Sequence, residues 1–395
     1  MLSQKMHERP LVYLDSAATA QKPACVIDAV NDFYTIHYGT VHRAVYQLAS
    51  YATESYQQVR EKARTFIGAR SANEVIFTRG TTESINMIAY SYGKAFIRPG
   101  DEILITEMEH HSNIVPWQIA CEDRGASLKV VPVLDNGELD LAAFRSLLSE
   151  KTKLVAVTHV SNTLGTVNPI QAIVADAHEV GAHVLVDGAQ AVPHSPVNVA
   201  ELDCDFYAFS VHKAFGPTGI GVLYGKEDLL NQLPPYQGGG DMIDKVAFEK
   251  TTYQDAPLRF EAGTPMIAEV IGLGAAIDYL NEIGMENIQQ WEHQLLVYAE
   301  EQLREIDALR VIGQSKNKGA IISFLVEGVH HLDLGTFLDL QGVAVRTGHH
   351  CTQPLMKRFG TTGTTRASFA LYNNREDVDR FVSALKTVIQ KLHAY

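Results

Sequence analysis

The stretch HVLVDGAQ (183–190) runs three apolar residues, Val184, Leu185 and Val186, into a carboxylate, a glycine and, at 190, a glutamine. A short apolar run without polar alternation, bounded by Asp and Gly, reads as a strand buried on both faces, as in a parallel sheet covered by helices. Working outward, EVIFTRG (74–80), DEILITEME (101–109), SLKVVPV (127–133), KLVAVTHV (153–160), DFYAFSVHK (205–213) and IGVLYG (220–225) read the same way. Between them TTESINMIAYSYGKAF (81–96), IVPWQIACEDRG (114–125), LDLAAFRSLLS (139–149) and PIQAIVADAHEVG (169–181) carry apolar residues at helical spacing. Strand and helix in alternation predict a doubly wound α/β half. After PPYQGGGD (234–241), helical patterns over 267–284 and 288–306, short strands and a last helix near 375–392 predict a smaller α+β domain beginning near residue 275. The expected division is 14–274 for the large domain and 1–13 with 275–395 for the small one.

A chain of 395 residues with 46% hydrophobic content can bury a full core. MLSQKMHERPLVYLD at the start has no continuous apolar run, and no window approaches a membrane span, so a cytoplasmic protein is expected. The net charge of -13 comes without any basic run, which argues against nucleic acid as a partner. Cys25, Cys121, Cys204 and Cys351 form no C-x-x-C pair, so reduced thiols are expected rather than a zinc ribbon or a disulfide framework.

In an open parallel sheet, ligands collect beyond the carboxyl ends of the strands. Those ends carry Asp187 and Gln190, then Ser210, His212 and Lys213, then His110, while Thr81 and Thr82 open a helix after a glycine, where free backbone N–H groups suit a phosphate. A lysine to bind an aldehyde, an acid for a ring nitrogen and a phosphate cup are the parts that pyridoxal 5'-phosphate needs. Each element alone has an ordinary reading: Asp187 as a helix cap, Lys213 as a solvated side chain, the threonines as caps. RTGHHC (346–351) sets Cys351 after two imidazoles. Neighbouring imidazoles can share a metal with a thiolate, but alternating side-chain directions keep His349, His350 and Cys351 from one ion, and no metal is expected.

LDSAAT (14–19), TVHR (40–43), TRGTTESIN (78–86), EHHSNIVPW (109–117), VDGAQ (186–190), FSVHKAFGPTGIGVLYG (209–225), EAGTP (261–265), RTGHHC (346–351) and TTRASFALYN (364–373) together resemble the cysteine desulfurases, SufS/CsdA-like group, of the class-V aminotransferase family with the type I fold of pyridoxal phosphate enzymes. The resemblance implies that Lys213 binds the cofactor covalently, Asp187 pairs with its ring nitrogen, Gln190 meets the ring hydroxyl oxygen and His110 stacks on the ring. It implies Thr82, Ser210 and His212 on the phosphate, with Thr81 beside them and Thr264 reaching over from the second subunit of a homodimer. Asn162 and Arg366 would grip the substrate carboxylate, with Arg346, His42 and Arg43 lining the site. Cys351 would be the nucleophile that takes sulfur from L-cysteine as a persulfide, releases L-alanine and passes the sulfur to a SufE- or CsdE-type acceptor for iron-sulfur cluster assembly. Selenocysteine lyase and cysteine-sulfinate desulfinase activities are the alternatives on this scaffold, and an acceptor-docking platform without turnover is the alternative of another class. Val211, Met266 and Thr352 depart from the family pattern, where Gly, Asn and Ala are expected.

Overall fold

The computed structural model describes residues 2–42 and 44–393. Its centre is a seven-stranded sheet built from β1 (Val75–Thr78), β2 (Glu102–Thr106), β3 (Ser127–Val131), β4 (Thr152–Thr158), β5 (His183–Asp187), β6 (Phe206–Ser210) and β7 (Gly221–Gly225), in the order β1-β7-β6-β5-β4-β2-β3. All neighbours are parallel except β7, which runs antiparallel to both β1 and β6. Each of the seven strands expected from the sequence is present.

The absence of polar alternation in these strands has a direct cause. Val155, Val157, Val184, Val186, Tyr207 and Phe209 enter one core while Leu154, Ala156, Leu185, Phe206 and Ala208 enter another, so side chains alternate between two buried faces. Helices cover both: α1 (Gln47–Phe66), α4 (Ile170–Glu179) and α5 (Ile267–Ile283) the first, α2 (Thr81–Phe96) and α3 (Val115–Arg124) the second.

A third core joins Val12 and Leu14 to residues between 295 and 389. It packs an antiparallel sheet of β8 (Leu309–Ile312), β9 (Ile321–Val326), β10 (Arg346–Gly348) and β11 (Thr364–Ser368), ordered β8-β9-β11-β10, against α6 (Met285–Arg304), α7 (His331–Asp339) and α8 (Arg375–His393). Helix α8 buries Val378, Phe381, Val382, Leu385, Val388 and Ile389, a helical stripe, and leaves its charged residues outside. The N-terminal segment closes onto this sheet: Ser368 N donates to Leu14 O at 2.8 Å. None of the described helices is long and apolar enough to cross a membrane.

Candidate active site

The carboxyl ends of β2, β4, β5 and β6 and the loop after β10 converge on one cleft with room for about 220 Å³. Asp187, Gln190, His110, Thr81, Thr82, Asn162, Ser210, His212, Lys213, Arg346, Cys351 and Arg366 all line it. His42 and Thr264 do not. His42 sits edge-on to Tyr56 with ring centroids 5.8 Å apart, and Thr264 lines a separate hollow with Tyr56, Phe77 and Glu261. Arg43 lies outside the described residues.

Asp187 ends β5, buried, opposite Thr158 of β4 and Ala208 of β6. Burial raises its carboxyl above the usual range, although the Ala189 N–H bonded to Oδ1 at 3.0 Å and the Lys213 ammonium pull the other way. A buried carboxylate compensated so sparsely fits a cationic partner, as a protonated ring nitrogen would be. The next residue must be glycine, since a Cβ on Gly188 would lie 1.9 Å from the Tyr207 ring. Burial lowers the Lys213 amine to about 8 against the raising effect of Asp187, which brings its free-base form within reach near neutrality.

His110 Nδ1 accepts the Ser112 N–H at 3.1 Å, so the neutral ring is assigned its proton on Nε2. Burial, then the Lys213 charge, lowers this imidazole to about 3, so it is uncharged at neutral pH. Gly80 opens α2 at φ 149°, and no side chain caps the helix; the Thr81 N–H and hydroxyl both meet Ser210 Oγ at 2.8 Å. The approach is close because residue 221 is glycine: a Cβ there would lie 2.4 Å from Gly80 Cα. An uncapped N-terminus with three hydroxyls beside it suits a phosphate group. In the wall, Gln190 Nε2 donates to Ala17 O at 2.7 Å while its buried Oε1 has no partner among the described residues. These features fit pyridoxal phosphate.

Across the cleft, Arg346 and Arg366 are paired opposite each other on β10 and β11. Arg366 is buried, gives Nη1 to Asn162 O at 2.8 Å and Nη2 to Asp15 Oδ1 at 3.0 Å, and leaves Nε without a partner among the described residues. Burial lowers it to about 10, with Asp15 opposing and Arg346 reinforcing the shift. Two guanidiniums side by side repel unless an anion lies between them, so this corner suits a carboxylate.

Cys351 follows at the tip of the loop, half-buried and unpaired. His350 and Cys351 both adopt left-handed backbone, φ 51° and 60°, which costs side-chain-bearing residues of order 1–3 kcal/mol each. His350 is buried; its Nε2 meets the Thr364 hydroxyl at 2.8 Å and its carbonyl accepts Asn162 Nδ2 at 2.8 Å. The Thr352 hydroxyl bonds His349 O and Thr163 Oγ1 at 2.9 Å each, tying the loop to the large sheet. Val211 is accommodated because its neighbour is glycine: a Cβ on Gly216 would lie 2.2 Å from Val211 Cγ1. Among the other cysteines, all of them free thiols, Cys121 and Cys204 are buried and Cys25 is exposed.

Four residues of this site carry no obvious mark in the sequence. Asp15 holds Arg366, Ser112 fixes the His110 tautomer, and His111 contacts the Cys351 loop. Glu109, fully buried behind His110, receives Thr106 Oγ1 (2.6 Å) and Thr158 N–H (2.9 Å) on Oε1 and Asn113 Nδ2 (2.7 Å) on Oε2. LDSAAT and EHHSN include all four, but nothing in those strings says which neighbour each will meet.

Residues 12–381 match the class-V aminotransferase family. The chain is 52% identical over 389 residues to a cysteine desulfurase of Dickeya dadantii, covering 98% of this chain and 94% of the relative. A cysteine desulfurase of Yersinia pestis is 53% identical, with 98% and 96% covered. Among solved structures, the cysteine desulfurase CsdA of Escherichia coli superposes with a TM-score of 0.91 at 41% identity, covering 96% of this chain and 95% of that one. An apo cysteine desulfurase of Thermococcus onnurineus gives 0.94 at 38% identity, with 99% and 98% covered. With that fold, that cleft and full-length identity of this degree, the chain belongs to the class-V aminotransferase family and, within it, to the pyridoxal phosphate-dependent cysteine desulfurases of the SufS/CsdA type.

Proposed function

We propose that Cys351 takes the sulfur of L-cysteine as a persulfide while L-alanine leaves, and that the residues gathered in the cleft divide the work as follows. The observation that carries this reading is a reduced thiol in one cleft with Lys213, Asp187 and the guanidiniums of Arg346 and Arg366. Bound pyridoxal phosphate supplies an electron sink for the carbanion formed at the amino-acid α-carbon. Lys213 would hold the cofactor and move the α-proton at its Nζ; an amine lowered to about 8 suits both tasks. Asp187 keeps the ring nitrogen protonated, His110 and Gln190 hold the ring, and Thr81, Thr82, Ser210 and His212 hold the phosphate. Arg366, assisted by Arg346 and Asn162, orients the substrate carboxylate. Cys351 Sγ bonds to the substrate sulfur as the β-carbon to sulfur bond breaks, leaving its electron pair on carbon, where a proton completes alanine.

The active unit is a homodimer in the cytoplasm. His42 and Thr264 share Tyr56 as a neighbour and do not line the chain's own cleft, and the chain around His42 exposes Tyr38, Val45, Tyr46 and Leu48, apolar side chains that suit a second copy. His42 and Thr264 serve the partner's site. The sulfur passes to an acceptor of the SufE or CsdE type. Separate cores support a large domain over 14–274 and a small one of 1–13 with 275–395, with α5 crossing the division and packing on the larger core.

The test is alanine release from cysteine with mass spectrometry of Cys351, alongside selenocysteine and cysteine sulfinate. Sulfane sulfur on Cys351 and loss of cysteine turnover in Cys351→Ala are expected, as is loss of the visible absorption in Lys213→Ala. Equal turnover of cysteine by Cys351→Ala refutes the nucleophile; absence of turnover with any of the three substrates favours a docking platform.

A further inference from the structure

The thiol of Cys351 stands on a turn that two imidazoles from different parts of the chain hold by its backbone. From the short turn that follows β2, His111 donates its backbone N–H to Cys351 O at 2.8 Å, and its ring Nε2 accepts the Gln353 N–H at 3.1 Å. From the loop itself, His349 Nδ1 accepts the Cys351 N–H at 3.1 Å. The rings face each other with centroids 5.5 Å apart and planes 35° from parallel. Both backbone polar groups of Cys351 and the N–H of Gln353 are thereby satisfied by these two histidines. Backbone N–H groups only donate, so the accepting nitrogens carry no proton; the neutral rings are assigned theirs on His111 Nδ1 and His349 Nε2. Neither histidine lines the cleft, and neither ring has the cofactor pocket within its hydrogen bonds.

The turn needs such support. His350 and Cys351 are successive residues at φ 51° and 60°, a pairing that side-chain-bearing residues hold only where their surroundings dictate it. Release of either ring would let the backbone relax to the right-handed or extended regions and carry Sγ away from the substrate sulfur.

We propose that His111 and His349 are positioning residues that clamp the Cys351 backbone and so place the sulfur acceptor. This rests on the reading of Cys351 as the nucleophile. His111 acts through its ring acceptor, which a glutamine side-chain oxygen can replace and alanine cannot.

The experiment uses the pyridoxal phosphate-loaded full-length enzyme and compares three measurements in wild type, His111→Ala, His111→Gln, His349→Ala and Cys351→Ser. Alanine release from cysteine reports sulfur transfer; exchange of the α-proton of L-alanine in deuterated water reports the steps that need Lys213 and the carboxylate site but no thiol; amide hydrogen exchange over 349–353 reports the clamp itself. In His111→Ala and His349→Ala, alanine release falls at least tenfold, α-proton exchange stays within twofold, and the 349–353 amides exchange at least tenfold faster. His111→Gln restores most of the desulfuration and the protection. Parallel loss of both activities, unchanged desulfuration, unchanged amide protection, or a His111→Gln variant as impaired as His111→Ala each overturn the clamp; if His111→Ala does not fold, the His349→Ala and His111→Gln outcomes decide alone. Full desulfuration by Cys351→Ser would instead overturn the underlying reading of Cys351.

Discussion

Glutamine at position 109 should unsettle the turn behind the cleft although it changes one atom. Glu109 Oε1 takes the Thr158 N–H and the Thr106 hydroxyl, and Oε2 takes Asn113 Nδ2; that amide cannot turn around, because Asn113 Oδ1 already accepts Trp117 Nε1 at 2.9 Å. Burial lifts the Glu109 carboxyl to about 8, against the pull of its donors. The protonated acid can still be satisfied: its O–H turns to Thr106 Oγ1, whose hydroxyl reverses, while Oε1 keeps accepting from Thr158. A glutamine amide has no such option. Its NH₂ must face either the Thr158 N–H or the Asn113 NH₂, leaving a buried donor unpaired at about 1–3 kcal/mol and losing a hydrogen bond of about 1 kcal/mol. At pH 5, Glu109→Gln should therefore lose about 2–4 kcal/mol, or about 2–5 °C in Tm for a chain of this length unfolding as a unit. The sign with pH follows from the raised carboxyl: the folded chain keeps a proton that the unfolded chain releases. Wild-type stability from this group is full below the unfolded value of 4.5 and declines as pH rises toward 8, by as much as about 5 kcal/mol. The variant has nothing to titrate there, so its deficit narrows across that window and closes between about pH 6.5 and 8. Calorimetry of both proteins from pH 5 to 8 checks this; a Tm difference under 1 °C at pH 5, or one that does not change with pH, refutes the reasoning.

Three further outcomes are expected. Arg366→Lys loses the fork that holds Asn162 O and Asp15, and with it a charge-assisted bond to the carboxylate worth about 1.5–3 kcal/mol, so kcat/KM for cysteine falls roughly 10- to 150-fold in steady-state assays while the protein remains folded by circular dichroism. Gly188→Ala forces a methyl group against the Tyr207 ring and should cost at least about 1–3 kcal/mol, seen as a lowered Tm together with weaker pyridoxal phosphate absorption, since Asp187 shares the displaced backbone. Arg60→Met strands the buried Glu261 carboxylate, which Arg60 now meets at 2.7 and 2.8 Å; removing one partner of such a pair costs about 3–5 kcal/mol, read by thermal unfolding, and loosens the segment that carries Thr264.

What could be read from the chain beforehand was whatever local chemistry dictates. The seven strands were legible because a strand buried on both sides has no polar alternation to confuse with a helix, and Thr81–Phe96 was legible to the residue because a glycine precedes it. Lys213, Asp187 and Cys351 stood out through their position at strand ends or in a histidine-rich turn, and they share one cleft. Hidden were the contacts that only the closed fold creates. His111 meets the N–H of a residue 242 positions away, and Glu109 meets Thr158 across the sheet. Nor could the spacing of TVHR and EAGTP foretell that Tyr56 would meet the His42 ring edge-on and share a hollow with Thr264, outside the cleft.

The bond between Arg366 and Asp15 spans 351 residues, and β11 receives the N-terminal segment at its last residue, Ser368. Long loops must close before such contacts form, which makes them late events in folding. A ribosome making this chain therefore emits every strand of the seven-stranded sheet, and with them Asp187 and Lys213, well before Arg366 emerges. On the proposed roles, a chain that stops short of Arg366 would carry Lys213 and Asp187 but lack the guanidinium meant for the substrate carboxylate, which is made only among the last thirty residues.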